Sequence, residues 1–158
     1  MNAQIGQEPA QPTSPPYAGW GRRAGAWVVD VLLLFGVFVI VPSIVIVAAV
    51  PDPDAQEGVA YLLYVPLAFL WPLYFALCHS RPRGQTLGKR LADIAVRDEK
   101  TGGRLPLGRA LGRAYFMLML WSFLFIPFVV DVLWPLWDER RQALHDKVVR
   151  TIVIRTVS

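Results

Sequence analysis

Long runs of apolar residues, separated by short polar segments, dominate the hydrophobic pattern of this 158-residue chain. Residues 31–50 are apolar except for Ser43, and residues 59–78 carry no charge. Twenty residues of α-helix extend about 30 Å, which matches the hydrocarbon thickness of a bilayer. We therefore predict two transmembrane helices, at about residues 24–50 and 59–78, joined by an acidic loop at residues 51–58.

A third apolar region, residues 114–137, is interrupted by Asp131 and by two prolines. One interpretation is a single complete crossing of the membrane. The other is a re-entrant helical pair that turns back near Pro127, because about 24 residues are too few for two complete crossings. The two interpretations place the C-terminal tail on opposite sides of the membrane.

The distribution of basic residues favours the re-entrant pair. Two of the 16 Lys and Arg residues precede the first span, nine lie between residues 79 and 113, and five follow residue 137. The loop between the first two spans has three acidic residues and no basic ones. Basic residues mark the cytoplasmic side of a membrane protein. The N-terminus and the second loop are therefore predicted to be cytoplasmic, and a re-entrant pair places the C-terminus there too.

The remaining segments complete the predicted organisation. Residues 1–19 contain four prolines among Gln, Ser and Thr and are predicted to form a disordered cytoplasmic tail. Residues 20–157 form one membrane domain. Alternation at residues 92–97 and the β-branched run at residues 151–157 indicate short strands. The predicted fold class is an all-α membrane protein with two transmembrane helices and a third span or re-entrant helical pair. Short β segments lie in its cytoplasmic loop and C-terminal tail.

Composition excludes several classes of function. The chain is 54% hydrophobic and 18% charged with a net charge of +4, which disfavours a soluble globule and a strongly basic nucleic-acid binder. A lone cysteine cannot form an intramolecular disulfide, and the two histidines lack metal-ligand spacing. No nucleophile elbow or paired-carboxylate motif is present. We predict no enzymatic activity, no metal, no cofactor and no nucleic-acid partner.

Three aspartates are candidates for a functional role. Asp30 lies inside the first span, and Arg23 lies two helical turns earlier on the same face. Charged groups in membrane helices are costly and often functional, so Asp30 is either an ion or proton site or a polar pin that fixes the helix. Asp131 is expected at the membrane interface, where a short helix ends. Asp146 is expected to cap a helix or to form a salt bridge with Arg23 or another base.

The segment Gly84–Arg90 (GQTLGKR) superficially resembles a phosphate-binding loop. It fails the Walker A pattern, which requires Gly at position 83 and Ser or Thr at position 90. Juxtamembrane Lys and Arg attract anionic headgroups by about 1 kcal/mol per charge. We therefore predict contact with lipid phosphates through Gly84, Gly88, Lys89 and Arg90.

The order of several motifs resembles the RDD family of small bacterial membrane proteins, named for one arginine and two aspartates. The resembling segments are residues 21–30 (GRRAGAWVVD), 84–90 (GQTLGKR), 94–98 (IAVRD) and 140–146 (RRQALHD). They span nearly the whole chain after residue 19. The resemblance implies that Arg23 is the family arginine, that Asp30 is its helix-embedded aspartate and that Asp146 is the second aspartate. One position departs from the family, which often has Gly before the Thr of the final strand, where this chain has Arg150.

The resemblance leaves two functional hypotheses. The first is a non-catalytic scaffold or accessory protein of the bacterial cell membrane. Its partners would be the anionic headgroups of the bilayer and either a second copy of the chain or another membrane protein. The alternative, implied by sodium/proton antiport in some family members, is an oligomeric monovalent cation/proton antiporter. In it Asp30 would be the exchange carboxylate and Arg23 its electrostatic partner.

Overall fold

The computed structural model describes residues 17–123 and 125–156 of the chain. The helices and strands are α1 (Trp20–Phe35), α2 (Val41–Ala49), α3 (Pro53–His79), α4 (Leu87–Leu91), β1 (Ile94–Asp98), α5 (Leu107–Phe123), α6 (Phe125–Leu133), α7 (Leu144–Val148) and β2 (Thr151–Arg155). A π-helical segment, Gly36–Ile40, joins α1 to α2, and a 3-10 turn, Trp134–Leu136, follows α6. The fold is thus mostly helical with one small sheet.

The first predicted span is part of one continuous helical segment, Trp20–Ala49, which is 30 residues long. Its α-helical pattern widens just before Pro42, where the Val41 N–H donates to the carbonyl of Gly36, five residues back. Proline lacks an N–H and its ring crowds the preceding turn, so a local π-helical turn is one way for a helix to accommodate it. The helix therefore accommodates Pro42 with a wider turn.

The second long helix, α3, begins earlier than the sequence pattern predicts. The acidic segment at residues 51–58 was expected to be a loop, but α3 starts at Pro53. The Asp52 carboxylate accepts a hydrogen bond from the Asp54 N–H at 3.1 Å and caps the helix. Aspartate at the N-cap, proline in the first turn and acidic residues near the helix start all stabilise an N-terminus. Residues that suggested a break therefore begin the helix.

The third apolar region, residues 114–137, turns back on itself instead of forming one rod. Arg113 in α5 and Asp131 in α6 are both hydrogen-bonded to the side chain of His145. In one continuous helix they would be separated by about 27 Å. This geometry agrees with the predicted helical pair.

The position of the turn differs from the prediction. α5 ends at Phe123 and α6 begins at Phe125, so Pro127 lies within the first turn of α6 and not at the turning point. Proline is tolerated there because the N–H groups of a first helical turn have no intrahelical partner. Across the two helices, the rings of Trp121 and Phe128 pack edge to face with their centroids 4.9 Å apart.

Both predicted strands are present, and they pair with each other. β1 and β2 are antiparallel, with Ile94 opposite Arg155 and Asp98 opposite Thr151. The β1 strand therefore does not form a hairpin with the residues that follow it. Val96 and Val153 are opposite each other at the centre of the sheet and are fully buried.

The end of the predicted N-terminal tail packs on this sheet. Of residues 1–19, residues 1–16 lie outside the described part of the chain. Tyr17 forms a β-bridge with Ile154, and the Ala18 N–H donates to the carbonyl of Val153 at 2.8 Å. Ala18 is fully buried. Residues 17–19 therefore belong to the folded part of the protein.

Arg150, where the chain departs from the family pattern, has a left-handed backbone. Its φ angle is +53°, a conformation that glycine adopts at lower cost than other residues. The turn between α7 and β2 is therefore formed with an arginine in a conformation that suits glycine. The Arg150 carbonyl accepts hydrogen bonds from the Glu99 N–H and from Arg109, which hold the turn from outside.

Candidate functional site

Four helix ends meet beneath the cap, which we define as residues 80–106 and 134–156. The start of α1, the end of α3, the first half of α5 and the end of α6 each contribute a buried or largely buried polar side chain. We call this group the polar cluster: Arg23, His79, Arg113, Asp131, His145 and Asp146. It joins the long helices to the short elements of the cap.

Arg113 is the centre of the polar cluster. Its Nε and Nη2 atoms donate to Oδ1 of Asp146 at 3.0 and 2.8 Å. Nη2 also lies 2.9 Å from Nε2 of His145, and Nη1 lies 3.2 Å from Nδ1 of His79. One guanidinium thus connects α3, α5 and α7.

These contacts determine the hydrogen-bonding roles of both histidines. A guanidinium has only donors, so Nε2 of His145 and Nδ1 of His79 must be acceptors. Each neutral ring then carries its proton on the other nitrogen. In His145 that nitrogen, Nδ1, donates to Asp131 at 2.6 Å. In His79 it is Nε2, which is buried and has no partner among the described residues, as is also true of Nη2 of Arg23.

Asp146 is fully buried and held from three directions. Its Oδ2 accepts from Nη1 of Arg23 at 2.7 Å, and its Oδ1 accepts from Arg113 and from the Thr151 hydroxyl. Burial by itself would raise the pKa of Asp146, but Arg113 and Arg23 hold that pKa well below its usual range. Of the alternatives expected for Asp146, the structure has the salt bridge with Arg23, although the two residues are 123 positions apart, and also a hydrogen bond from the Ala143 N–H at the start of α7.

Asp131, which we expected at the membrane interface, is enclosed by the protein. It is fully buried. Its two oxygens accept from the backbone N–H of His145 at 2.8 Å and from the His145 ring at 2.6 Å. A short helix does end next to Asp131, but α7 packs over that end. Asp131 therefore joins α6 to the start of α7.

Asp30 binds the cap through a different set of contacts, which we call the Asp30 tether. Its Oδ1 accepts from the Gly88 N–H at 2.8 Å, and its Oδ2 accepts from the Thr86 hydroxyl. The Tyr74 hydroxyl donates to Oδ1 at 3.4 Å. The predicted partner Arg23 binds Asp146 instead. Asp30 thus fastens the start of α4 to the middle of α1.

Gly88 fits this contact because it has no side chain. A Cβ atom on Gly88 would lie 2.0 Å from the carbonyl oxygen of Ala26 and 3.0 Å from Cγ of Asp30. No L-amino acid with a side chain could approach α1 so closely. The glycine of the GQTLGKR segment is therefore a packing requirement for the Asp30 tether.

Lys89 lies between the Asp30 tether and the polar cluster. It is buried, and its Nζ lies 6.0 Å from the centre of the Phe75 ring. Burial, with the nearby Arg113, lowers the pKa of Lys89 to about 8. The site as a whole holds three basic and three acidic side chains beside its two histidines. The basic residues are Arg23, Lys89 and Arg113, and the acidic residues are Asp30, Asp131 and Asp146.

The residues predicted to contact lipid phosphate lie in two different environments. Gly84 is buried with a φ angle of +61°, and its carbonyl accepts from the Val96 N–H. The Gly88 N–H is bound to Asp30, and Lys89 points into the protein. Arg90 is exposed on the surface. Phosphate contact at this segment stays a prediction, and Arg90 is the one of the four residues with a solvent-exposed cationic side chain.

Several residues of the site were missed in the sequence. They are Tyr74, His79, Thr86, Arg113 and the buried role of Asp131. Tyr74, His79 and Arg113 lie near a boundary between an apolar run and a polar segment, and Thr86 lies within the GQTLGKR segment. These are the signals that could have suggested them. Within residues 17–123 and 125–156, no group of three or more His, Cys, Asp or Glu side chains is arranged to hold a metal ion.

The fold and the site define a class of protein. It is small and mostly helical, with two helices that are long and apolar enough to cross a membrane. The cap is held at one end of these helices by buried ion pairs. The model of the RDD family matches residues 17–150, and the chain belongs to that family. No curated protein and no solved structure matches it significantly. The family arginine and aspartates inferred by resemblance are thus the residues that join α1 to the cap.

Proposed function

We propose that the chain is an integral protein of the bacterial cell membrane, with Trp20–Ala49 and Pro53–His79 as its membrane-spanning helices. In each helix, only 11% of an 18-residue apolar stretch is buried within the protein. A core helix of a soluble protein would instead be covered by its neighbours. The large apolar side chains that remain exposed, such as Leu32, Ile44 and Leu62, suit contact with lipid.

We propose further that the cap faces the cytoplasm. All 16 Lys and Arg residues lie at residues 22–23, 81–113 or 140–155, which are in the cap or in the helix ends that enter it. The turn after α2 and the start of α3, at the opposite end, carry three acidic residues and no basic ones. This separation of charge is the positive-inside pattern. The helical pair α5–α6 supports a cytoplasmic C-terminus, since it returns the chain to the cap.

The role we propose is that of a non-catalytic scaffold or accessory protein. The observation that carries it is the saturation of the buried carboxylates. Asp30, Asp131 and Asp146 each bind donors of the protein through both oxygens. Groups so fully engaged hold elements together and offer few free lone pairs to a substrate. A second copy of the chain or another membrane protein is the expected partner, with contacts on the exposed helices or the cap.

Antiport through Asp30 is the alternative, and the geometry does not favour it. An exchange carboxylate must bind a cation and a proton in turn, while both oxygens of Asp30 accept from Gly88, Thr86 and Tyr74. Bringing in Na⁺ would require breaking the contact that holds α4. Two long helices also enclose little space for an alternating-access pathway.

Flux measurements in proteoliposomes distinguish the two functions. Purified protein is reconstituted with an internal pH-sensitive dye, and an outward proton gradient is challenged with external Na⁺ or K⁺. We expect proton flux equal to that of protein-free liposomes. Flux that is abolished by Asp30→Asn but retained by the control Asp93→Asn would contradict the scaffold proposal and establish antiport.

The scaffold proposal also predicts a loss that does not depend on transport. Arg23→Gln and Asp30→Asn should lower the amount of folded protein in the membrane fraction, measured by fluorescence-detected size exclusion. The peak of any larger assembly should decrease in parallel. Wild-type abundance and assembly size in both variants would argue that these residues do not serve architecture.

A further inference from the structure

A pocket of about 390 Å³ opens on the surface of the cap beside the start of α4. Residues that line it include Arg81, Arg83, Gln85, Thr86, Leu87 and Arg90. We call it the basic pocket. It lies on the outer side of the segment whose inner side forms the Asp30 tether, and the polar cluster does not use its arginines.

The arginines of the basic pocket are exposed and have no acidic partner. Within the described residues, Arg81, Arg83 and Arg90 form no salt bridge. Other arginines of the protein, such as Arg109 and Arg140, do pair with carboxylates. Three guanidiniums around one concavity repel one another, and an anion in the pocket would relieve that repulsion.

The chemistry of these donors favours a phosphate group. Guanidinium is planar, stays charged at any physiological pH and presents paired N–H donors that match the oxygens of phosphate. Gln85 does not compete for this role, because its amide donates to the carbonyl of Ile94 and the hydroxyl of Thr156. The arginines are thus the groups of the pocket that remain available for an anion.

The surroundings of the basic pocket favour a phosphate that is attached to acyl chains. Leu87 lines the pocket and is 46% exposed, and Leu91, one turn further along α4, is 68% exposed. The segment directly follows α3, where Leu77 is also exposed. Apolar side chains beside cations are suited to an amphiphile, because the headgroup and the first methylenes of a chain then find separate surfaces.

We propose that the basic pocket binds the phosphate of an acidic phospholipid headgroup at the cytoplasmic surface of the membrane. Arg81, Arg83 and Arg90 contact the phosphate, and Leu87 and Leu91 contact the upper part of an acyl chain. The site differs from the contact predicted from sequence, since Gly88 and Lys89 face the interior. It rests on the proposed membrane location, while the scaffold role does not depend on it.

Native mass spectrometry of the detergent-solubilised full chain tests this assignment. The protein is titrated with equimolar phosphatidylglycerol and phosphatidylcholine, and the fraction carrying each lipid is measured. We expect a preference for phosphatidylglycerol, and at least tenfold weaker binding of that lipid in the double variant Arg83→Gln/Arg90→Gln. The matched control Lys100→Gln/Arg150→Gln removes two exposed cations at the far end of the sheet and should retain wild-type binding.

Three results would overturn the proposal. They are no preference for phosphatidylglycerol in the wild-type protein, an equal loss in the two double variants, and unchanged binding in Arg83→Gln/Arg90→Gln. A parallel titration with inorganic phosphate separates the two sources of the anion. Saturable binding of phosphate without a preference for the acidic lipid would assign the pocket to a soluble phosphate and overturn the lipid assignment.

The membrane location is tested separately, on membranes before solubilisation. Membranes carrying the wild-type chain or Arg83→Gln/Arg90→Gln are extracted with alkaline carbonate. Both chains should stay in the pellet, because the substitutions lie outside the long helices. Release of the wild-type chain would contradict the membrane-spanning proposal, whereas retention with no lipid preference would contradict the basic pocket alone.

Discussion

At the scale of single residues, one guanidinium organises the site. Arg113 pairs with Asp146 and donates to His79 and His145, while Arg23 completes the pairing of Asp146. Desolvating so many charges is costly, and such a group is tolerated when nearly every donor and acceptor is satisfied. The polar cluster therefore depends on every member. Removing one of its charges should lower the free energy of unfolding by much more than the loss of an ion pair on the surface would.

Asp146→Asn is expected to lower the free energy of unfolding by about 3–5 kcal/mol, because it leaves Arg23 and Arg113 buried without their anion. Denaturant unfolding in detergent at pH 7 measures the loss. The pKa of Asp146 is lower in the folded protein than its usual value of 3.8, so the carboxylate stabilises the fold above that pH. The difference between variant and wild type should shrink as the pH falls below about 4.

Asp93→Asn is the matched control for this substitution. Asp93 has a φ angle of +52°, which asparagine adopts readily, and its side chain forms no hydrogen bond or salt bridge among the described residues. It should leave the free energy of unfolding within about 0.5 kcal/mol of wild type. Equal losses in the two variants would show that the buried pairing of Asp146 contributes little.

Lys89→Met is expected to stabilise the protein at pH 7 and to change its response to alkaline pH. The folded protein releases the Lys89 proton at a pKa of about 8, whereas an unfolded lysine keeps it up to 10.5. Between these two pH values the unfolded state therefore binds more protons than the folded state. The free energy of unfolding of the wild-type protein then rises with pH over that range. Methionine removes this pH-dependent part of the free energy of unfolding, and its side chain retains contact with Phe75.

Unfolding midpoints at pH 7 and pH 9.5 test this expectation. The gain in Lys89→Met over wild type should be largest at pH 7 and smaller at pH 9.5. Lys100→Met, at an exposed position, controls for the loss of one lysine and should show no such trend. A loss of stability in Lys89→Met at both pH values would mean that the buried ammonium is favourable where it lies.

At the scale of secondary-structure elements, two of the attachments between the cap and the helices centre on buried carboxylates. The polar cluster holds α7 and β2, and the Asp30 tether holds α4. The second attachment depends on shape as much as on hydrogen bonding, because Gly88 lies directly against the backbone of Ala26. Two attachments with different chemistry can be weakened independently.

Gly88→Ala is expected to lower the free energy of unfolding by about 1–3 kcal/mol, because its Cβ would meet the Ala26 carbonyl at 2.0 Å and push α4 from α1. Gly25→Ala is the matched control. A Cβ on Gly25 would have no atom within 4 Å, so this change should leave the stability unchanged or raise it. Thermal unfolding of the two variants in one detergent compares them. Equal behaviour would mean that α4 can shift away from α1 without loss.

Much of this architecture follows from local sequence. The apolar runs indicate the long helices, the β-branched segments indicate β1 and β2, and the return of α5–α6 is suggested by charge. The predicted start of α3 was wrong because proline and aspartate suit both a loop and a helix N-terminus. The local sequence therefore could not separate these two structures.

The site was harder to predict than the elements. The pairing of Arg23 with Asp146 could be anticipated as one option, but the roles of His79, Arg113 and Asp131 could not. Those residues lie on different helices, and their meeting depends on how four helix ends pack together. Periodicity and spacing carry no information about that packing, so a lone buried histidine or arginine in the sequence has no evident partner.

At the scale of the whole molecule, the separation of charge between the two ends is the dominant feature. The cap contains or adjoins every Lys and Arg. The opposite end, formed by the turn after α2 and the start of α3, has Asp52, Asp54 and Glu57. A hydrophobic section formed by exposed apolar side chains lies between the two ends. In a membrane this polarity specifies an orientation, because basic loops are retained on the cytoplasmic side.

The orientation predicts which positions can be labelled from outside the cell. In a Cys78→Ser background, single substitutions Ala55→Cys, Lys100→Cys and Glu139→Cys each introduce a thiol at an exposed position. A membrane-impermeant maleimide should label Ala55→Cys in intact spheroplasts. It should label the other two positions only after permeabilisation, because the proposed orientation places the cap in the cytoplasm. Glu139→Cys is the most informative of the three, since it follows the α5–α6 pair. Its labelling in intact spheroplasts would mean that this pair crosses the membrane instead of returning to the cap, and would contradict the position of Asp131 beside His145.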